Sequence, residues 1–208
     1  MSQILYIHGM GGGGDSRIPR LLNEHFAGSD IHVTVRTYSF HPEEGHRQIL
    51  SWVEELRPDL LIGESLGAVQ TLRIPHIPKL FVSPSLGGAD NLYRRSILAL
   101  IPGMRFYFTR ILFPVKEGDR QRLDFTYRTL RSYGPHSAEA MRLAAEDDAP
   151  HYAFFGMHDH YMKSGVVSVE RWEALFGKDS YEMYDGSHFM EEEYVYSMLV
   201  PKILQMLK

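Results

Sequence analysis

The sequence predicts an α/β fold in which a mostly parallel, six-stranded sheet carries helices on both faces. Two observations lead to this prediction. Six apolar runs of strand length recur along the chain, and segments of helical length and periodicity separate them. Strands that alternate with helices pair in parallel through right-handed crossovers. The predicted strands cover residues 3–8, 31–39, 59–63, 79–83, 151–156 and 180–185.

The predicted helices fill the intervals between these strands. Pro58 and Pro78 lie just before two of the strands, where proline ends the preceding helical pattern. A helical insertion precedes the fifth strand and contains three stretches of helical character, at 91–112, 120–132 and 137–146. The other predicted helices are 17–27, 43–56, 66–73, 166–176 and 190–207.

Composition indicates one globular domain that spans residues 1–208. The chain is 44% hydrophobic and 23% charged, which provides enough apolar material for one buried core. The longest apolar runs are strand-sized, and residues 1–15 lack the basic start and long apolar core of a signal peptide. Neither a membrane partner nor export is therefore expected. The absence of cysteine excludes disulfides and thiol chemistry in this chain and fits a cytoplasmic location.

The segment after the third predicted strand has the pattern G-x-S-x-G, because residues 63–67 read Gly-Glu-Ser-Leu-Gly. Between a buried strand and a helix, this pattern is typical of a nucleophile elbow, a sharp turn that exposes a serine hydroxyl above the sheet. The NH of Leu66, in the first turn of the helix, points where an oxyanion would form. Ser65 is therefore a candidate nucleophile. The alternative is a plain helix N-cap without a chemical role.

A glycine-rich loop follows the first predicted strand, where residues 8–14 read His-Gly-Met-Gly-Gly-Gly-Gly. Gly9, Gly11 and Gly14 satisfy the dinucleotide-binding pattern G-x-G-x-x-G. A nicotinamide cofactor would also need an acid at the end of the next strand, or an arginine for a 2′-phosphate, and that strand offers Arg36 and no acid. An NADP-dependent reductase and a merely flexible loop both stay open as interpretations.

Two further polar side chains follow predicted strands in the C-terminal third of the chain. Asp159 comes after strand 151–156, and His188 comes after strand 180–185. Because parallel strands end at the same edge of a sheet, both should project from the edge that carries Ser65. Each residue alone would be an ordinary turn or cap residue. Their joint occurrence in the order Ser, Asp, His favours a catalytic triad.

These motifs resemble those of the α/β-hydrolase fold, which combines a nucleophile elbow, a His-Gly loop after a strand and this triad order. The resemblance follows the order of elements along nearly the whole chain, although the usual first hairpin is missing. It is closest to the small bacterial esterase-like hydrolases that begin directly with a strand running into His-Gly. The resemblance implies an oxyanion hole formed by the NH groups of Met10, rather than Gly11, and Leu66. It also implies that residues 90–147 form a helical cap.

The activity that the resemblance implies is hydrolysis of a small carboxylic ester or a related acyl compound. Ser65 would attack, His188 would act as the base, and Asp159 would orient the imidazolium. A hydrolase-fold binding protein without activity is a further alternative. The candidate substrate contacts are His8, Gly9, Glu64, Phe106, Phe108 and His160.

No metal and no organic cofactor is expected. The run His158-Asp159-His160 raises the possibility of a metal site, but no other dense cluster of histidines and acids supplies the remaining ligands. One of its two histidines is expected to line the substrate pocket and the other to be exposed.

Charge is unevenly distributed along the chain. Residues 91–135 hold nine basic and three acidic residues, a balance of +6, whereas the remainder holds 13 basic and 23 acidic residues, a balance of −10. The basic segment either steers an anionic substrate or is a solvated helix face. With a net charge of −4 and no nucleic-acid motif, polynucleotide binding is not expected. The predicted partner is a small acyl substrate, and the oligomeric state is not predicted.

Overall fold

The computed structural model describes residues 1–114 and 116–208 and contains one six-stranded sheet. The strand order is β2-β1-β3-β4-β5-β6, and all neighbouring strands are parallel. The predicted fold class is thus confirmed. The strands are Ser2–Ile7 (β1), Ile31–Val35 (β2), Leu60–Glu64 (β3), Lys79–Val82 (β4), His151–Gly156 (β5) and Tyr181–Tyr184 (β6).

Helices connect the strands, as the alternating pattern predicts. The main helices are Arg17–His25 (α1), Pro42–Leu56 (α2), Gly67–Thr71 (α3), Gly88–Arg94 (α4), Met104–Phe106 (α5), Tyr127–Glu146 (α6), Val169–Phe176 (α7), Glu192–Tyr194 (α8) and Val200–Met206 (α9). Short 3₁₀ helices cover Arg95–Leu100, Met162–Ser164 and Lys178–Ser180, and π-helices cover Tyr107–Leu112 and Val195–Leu199. Within the described residues, none of these helices combines the length and the apolar character that a bilayer crossing requires.

Apolar layers cover both faces of the sheet. Alternate side chains of β1 enter different layers, as the two-residue period of a strand requires. Ile4 and Tyr6 pack with α1 and the C-terminal helices. Leu5 and Ile7 pack on the opposite face, against α2. The sheet is buried on both sides, which is the usual arrangement for parallel strands.

Strand β2 is shorter than predicted: it ends at Val35, whereas the prediction extends to residue 39. Beyond that point Tyr38 turns toward the loop after β1. Its ring stacks on His8 with 4.3 Å between ring centroids, and its hydroxyl donates to the carbonyl oxygen of His8 at 2.6 Å. Residues 36–39 therefore support the glycine loop instead of extending the sheet.

The insertion between β4 and β5 is helical but differs from the prediction in two places. Residues 120–126 are not helical, since α6 begins only after Thr126, whose side chain caps it by accepting from the NH of Thr129 at 3.2 Å. Helix α6 also continues through Pro135, where a break was expected. Its buried face includes Leu130 and Ala140, and this packing outweighs the cost of about 3 kcal/mol for proline inside a helix.

Candidate active site

Ser65 occupies a sharp turn between β3 and α3. Its φ is +50°, a left-handed conformation that serine rarely adopts without support from its surroundings. The flanking glycines make the turn possible, because a Cβ at Gly67 would lie 2.4 Å from the carbonyl oxygen of Ile7, and one at Gly63 would lie 2.5 Å from Oγ1 of Thr71. The structure therefore has the strand-turn-helix geometry of a nucleophile elbow.

A chain of hydrogen bonds joins Ser65 to the two other predicted residues. Nε2 of His188 lies 2.8 Å from Oγ of Ser65, and Nδ1 of His188 lies 2.6 Å from Oδ2 of Asp159. Asp159 and His188 are both buried, whereas the serine is partly accessible. A carboxylate at Asp159 can only accept, so Nδ1 of His188 donates to it and Nε2 is left to accept from the serine hydroxyl. This is the hydrogen-bond geometry that activation of a serine hydroxyl by a histidine requires.

The loops after β5 and β6 meet closely, and this contact brings Asp159 to His188. A Cβ at Gly156 would lie 2.2 Å from the carbonyl oxygen of Ser187, so only glycine fits at the end of β5. Asp159 is fixed further by the NH of Tyr161, which donates to its Oδ1 at 2.8 Å. The ring of Tyr161 packs edge-on against the imidazole of His188, with 4.7 Å between ring centroids. The sequence pattern did not identify Tyr161.

The glycine loop passes directly beside Ser65. A Cβ at Gly9 would lie 2.9 Å from Cβ of Ser65, so the loop can reach this position only without a side chain. The NH of Gly11 donates to Oε1 of Gln121 at 3.1 Å and is therefore engaged. The NH groups of Met10 and Leu66 donate to no other residue in the described part of the chain. Of the two loop amides considered, that of Met10 remains available for a bound oxyanion.

Gln121 holds the glycine loop in place and was not found by sequence reasoning. Besides accepting from Gly11, it donates its backbone NH to the carbonyl of Gly12 at 2.7 Å and its side-chain amide to the carbonyl of Tyr38 at 3.1 Å. The residue lies in the stretch 120–126, which the sequence pattern predicts as helix. No local motif marks it, because its partners are more than 80 positions away.

A second serine hydroxyl lies next to the first. Oγ of Ser85 is 3.1 Å from Oγ of Ser65, and the NH of Ser85 donates to the carbonyl of Ser65 at 3.0 Å. Ser85 follows β4 and is buried. Unlike Ser65, it has no hydrogen bond to a histidine among the described residues. Sequence reasoning did not identify it.

The six candidate substrate contacts differ in accessibility. His8 is fully buried against Tyr38, and burial lowers the pKa of its imidazole to about 4, so it supports the loop and offers no surface to a substrate. Gly9 contacts Ser65 as described. Glu64 is half-buried and accepts from the hydroxyl of Tyr6 at 2.9 Å.

Of the remaining three contacts, one is buried and two are exposed. Phe108 is buried against Phe125, whereas the side chain of Phe106 is 64% exposed on the outer surface of the insertion. His160 is exposed, and its ring contacts that of Tyr161 in a tilted arrangement with 4.0 Å between ring centroids. His158 is exposed as well, and the expectation that one of these two histidines lines the substrate pocket stays a prediction.

The glycine loop is already covered where a dinucleotide pyrophosphate would have to lie. A Cβ at Gly13 would lie 1.8 Å from the carbonyl oxygen of Asp119, and one at Gly14 would lie 2.1 Å from its carboxylate. An acidic side chain at this position repels phosphate. Arg36 is not free for a 2′-phosphate either, because both of its terminal nitrogens donate to Glu55 at 2.6 Å. The structure gives the reductase interpretation no support.

The side chains of the His158-Asp159-His160 run point to different partners. Asp159 binds His188, whereas Nε2 of His158 lies 2.7 Å from Asp185. Among the described residues, one other set of potential ligands comes together, formed by His76, Asp147 and Asp148. In that set the Lys79 ammonium already donates to Asp147.

Comparison with known proteins gives the fold but no close relative. No family model matches the chain, and no curated protein sequence matches it. A monoacylglycerol lipase from Paleococcus ferrophilus superposes with a TM-score of 0.66 at 17% identity, over 99% of this chain and 93% of the lipase.

Two further structures superpose over almost the whole chain. Est1E from Butyrivibrio proteoclasticus gives a TM-score of 0.66 at 14% identity, over 99% of this chain and 88% of its own. The thioesterase domain from the curacin biosynthetic pathway gives 0.61 at 16% identity, over 100% and 91%. The resemblance to the α/β-hydrolase fold is confirmed at the level of fold.

Proposed function

We propose that this protein with the α/β-hydrolase fold is a serine hydrolase that cleaves a small carboxylic ester or a related acyl compound. The hydrogen-bond chain from Ser65 through His188 to Asp159 is the observation on which the proposal depends. The structural neighbours agree with it, because by name they include a monoacylglycerol lipase, lipolytic enzymes and a thioesterase domain. Since fold alone does not fix chemistry, the site geometry carries the argument.

In the first half of the reaction, the hydroxyl of Ser65 attacks the carbonyl carbon of the substrate. Nε2 of His188 takes the hydroxyl proton as the new bond between oxygen and carbon forms. Asp159 keeps the imidazole in the tautomer that accepts at Nε2 and stabilises the imidazolium that results. The imidazolium then protonates the leaving alcohol or thiol, and an acyl-serine remains.

The tetrahedral intermediate carries a negative oxygen that needs donors fixed in advance. The NH groups of Leu66 and Met10 supply them in this proposal, since one follows the nucleophile and the other lies on the loop beside it. Gln121 restrains that loop at Gly11 and Gly12. In the second half, His188 takes a proton from a water that attacks the acyl-serine, and the same two amides stabilise the second intermediate. Its collapse breaks the bond to Oγ of Ser65, which takes the proton back from His188 as the carboxylic acid leaves.

The insertion 90–147 is proposed as the cap of this active site. Its trailing segment crosses the glycine loop, where Asp119 covers Gly13 and Gly14 and the NH of Gln121 donates to the carbonyl of Gly12. Insertions of this kind commonly choose the substrate, because they are loops carried on a rigid scaffold. In this proposal the same region selects the acyl length and the leaving group.

The test compares two serine variants in the hydrolysis of a short p-nitrophenyl ester. Ser65→Ala removes the hydroxyl bonded to His188, and we expect kcat to fall about 10⁶-fold, as in a known serine protease. Ser85→Ala is the matched control, because it removes a hydroxyl only 3.1 Å away. We expect the control to lose about fivefold, the effect of one neutral hydrogen bond.

The result separates the proposal from its alternatives. Turnover that survives in Ser65→Ala would remove this serine from the mechanism. A wild-type protein that is folded, inert to an ester and thioester panel and unreactive toward a fluorophosphonate would instead be a binding protein on a hydrolase scaffold.

A further inference from the structure

An exposed apolar surface lies on the insertion before β5. Nine of the sixteen exposed large apolar side chains in the described part of the chain fall within residues 97–113. Single exposed apolar residues are normal, whereas a group of them marks a surface that binds another molecule. We call this group the apolar patch; its members are Ile97, Leu98, Leu100, Ile101, Phe106, Tyr107, Ile111, Leu112 and Phe113.

The apolar patch has two parts, residues 97–101 and residues 106–113, and helix α5 connects them. Helix α5 packs against the 3₁₀ helix Arg95–Leu100 and against the π-helix Tyr107–Leu112. Four members are more than half exposed, at 60–64% of their surface, and therefore point outward rather than into the body of the protein; they are Ile97, Leu100, Phe106 and Ile111.

The segment that carries the patch has only positive charges of its own. Residues 91–113 contain four arginines and no acid, a balance of +4, so the rest of the chain carries −8. All four arginines are exposed. Of these four, only Arg105 has an ion-pair partner among the described residues, which is Asp124 at 3.1 Å. Arg94, Arg95 and Arg110 are therefore available to an anionic group outside the molecule.

This charge pattern disfavours a symmetric dimer. A twofold interface would place the patch of one copy on the same patch of the other and would oppose +4 with +4. An acidic partner is complementary instead. Apolar side chains interleaved with arginines are typical of segments that lie at the boundary between lipid headgroups and acyl chains.

We propose that the apolar patch docks on the surface of an anionic lipid bilayer. Its apolar side chains enter the headgroup boundary, and Arg94, Arg95 and Arg110 contact lipid phosphates. The negatively charged lipid surface repels the rest of the chain, which is acidic. The molecule is therefore oriented with the patch toward the lipid. This replaces the sequence-based expectation that a membrane is not a partner, because that expectation concerned spanning segments.

The docked orientation brings the lipid surface toward the cap and the glycine loop. The rings of Phe108 and Phe113 pack on Phe125, at 5.5 Å and 5.1 Å between centroids. Just before Phe125, the NH of Gln121 donates to the carbonyl of Gly12 at 2.7 Å. The patch is thus one short segment away from the loop beside Ser65. Its test uses binding alone and does not depend on hydrolase activity.

The experiment is co-sedimentation of the full chain with phosphatidylcholine vesicles that contain or lack phosphatidylglycerol. We expect binding to the anionic vesicles that weakens at high salt, and at least tenfold weaker binding to neutral ones. Changing Arg94, Arg95 and Arg110 together to Gln should weaken binding on the order of 100-fold, because each cation near such a surface contributes about fivefold.

Matched variants control for net charge and for the number of apolar groups. Replacing Arg47, Lys178 and Lys208 with Gln also removes three positive charges, but at positions outside the patch. Because salt screens distant charges, this control should change binding less than about threefold. The pair Ile97→Ser and Ile111→Ser should weaken binding at least tenfold. The pair Leu50→Ser and Leu204→Ser should not.

Three outcomes would overturn the proposal. One is a wild-type chain that does not bind anionic vesicles. The second is equal weakening by the patch variants and by their matched controls. The third is a vesicle-free dimer, seen by sedimentation velocity, that Ile97→Ser with Ile111→Ser dissociates, since the patch would then be covered by a second copy.

Discussion

The two ends of the parallel sheet each hold a buried acid paired with a base, and the two pairs do different things. At the carboxyl end, Asp159 binds His188 at 2.6 Å. At the amino end, Asp147 binds Lys79, the first residue of β4, at 2.5 Å. In both pairs the side chains are almost completely shielded from solvent. Burial and pairing alone therefore do not identify an active site.

The difference lies in what the base contacts next. The second nitrogen of His188 meets the hydroxyl of Ser65, a partly accessible group in a strained turn. The ammonium of Lys79 instead donates to the carbonyl of Ile77 at 2.8 Å, so its second contact is a backbone group that cannot react. Ligands bind at the carboxyl ends of strands in open α/β sheets, and Ser65, the proposed nucleophile, lies at that end. The amino-end pair joins the end of the insertion before β5 to the sheet.

The neighbours of Asp147 favour its charged form. Burial alone would raise the pKa of Asp147, but the Lys79 ammonium and the NH groups of His76 and Ala149 outweigh it, and the pKa lies below its ordinary range. Asp147 is therefore a carboxylate at neutral pH, held by three donors.

The largest expected effect is loss of the base at the carboxyl end. His188→Ala should lower kcat about 10⁶-fold, because in a known protease the loss of the histidine base alone lowers kcat about as much as the loss of the whole triad. The melting temperature should fall only by the small amount that the cavity left by one missing ring causes. Ester turnover and thermal unfolding, measured on the same sample, check the prediction, and activity within tenfold of the wild type would refute it.

The next effect is on stability, at the amino end. Asp147→Asn leaves the Lys79 ammonium buried without a charge partner, which should cost about 3–5 kcal/mol of unfolding free energy. Urea unfolding measures the loss, and kcat below the melting temperature should stay near that of the wild type. Replacing both members, Lys79→Met with Asp147→Leu, should restore most of the stability. An unfolding free energy unchanged in the single variant would contradict the structural role.

The smallest of the three effects is a pH slope from His151, which also lies at the amino end. Burial, and then the Lys79 ammonium, lower the pKa of His151 to about 4 from an ordinary value near 6.5. Between pH 6.5 and 4 the imidazole therefore binds a proton in the unfolded chain but not in the folded one. The contribution of neutral His151 to the free energy of unfolding is thus fully present above pH 6.5 and is lost as pH falls toward 4.

His151→Phe removes this titration and keeps an aromatic ring between Phe81 and Phe176, on which the imidazole stacks. Between pH 6.5 and 4 the unfolding free energy of the variant should fall less steeply, by up to about 1.4 kcal/mol per pH unit. Urea unfolding at several pH values gives the two slopes. Parallel slopes would show that His151 is protonated in the folded protein.

Local patterns were sufficient for the framework and for the three residues that meet at its edge. Each of the six strands is an apolar run, and each of Ser65, Asp159 and His188 follows such a run within a few positions. Parallel topology then requires that they share an edge. Sequence order and strand ends carry this information, so no knowledge of distant contacts is needed.

The remaining features depend on contacts between distant parts of the chain. Gln121 lies in a stretch with helical periodicity, but its hydrogen bonds to the glycine loop hold it outside any helix. Ser85 meets Ser65 only because β3 and β4 are neighbours in the sheet. His8 looks like a pocket residue beside a glycine, yet Tyr38 covers it. The helix through Pro135 follows from packing, which overrides local preference.

The most direct measurement is the position of a fluorophosphonate adduct, read by mass spectrometry after trypsin digestion. Cleavage after Arg73 and Lys79 separates the two neighbouring serines onto different peptides. We expect one phosphonate, carried by Ser65 and absent from His188→Ala. A phosphonate on Ser85, or an unlabelled protein that still turns over esters, would contradict it.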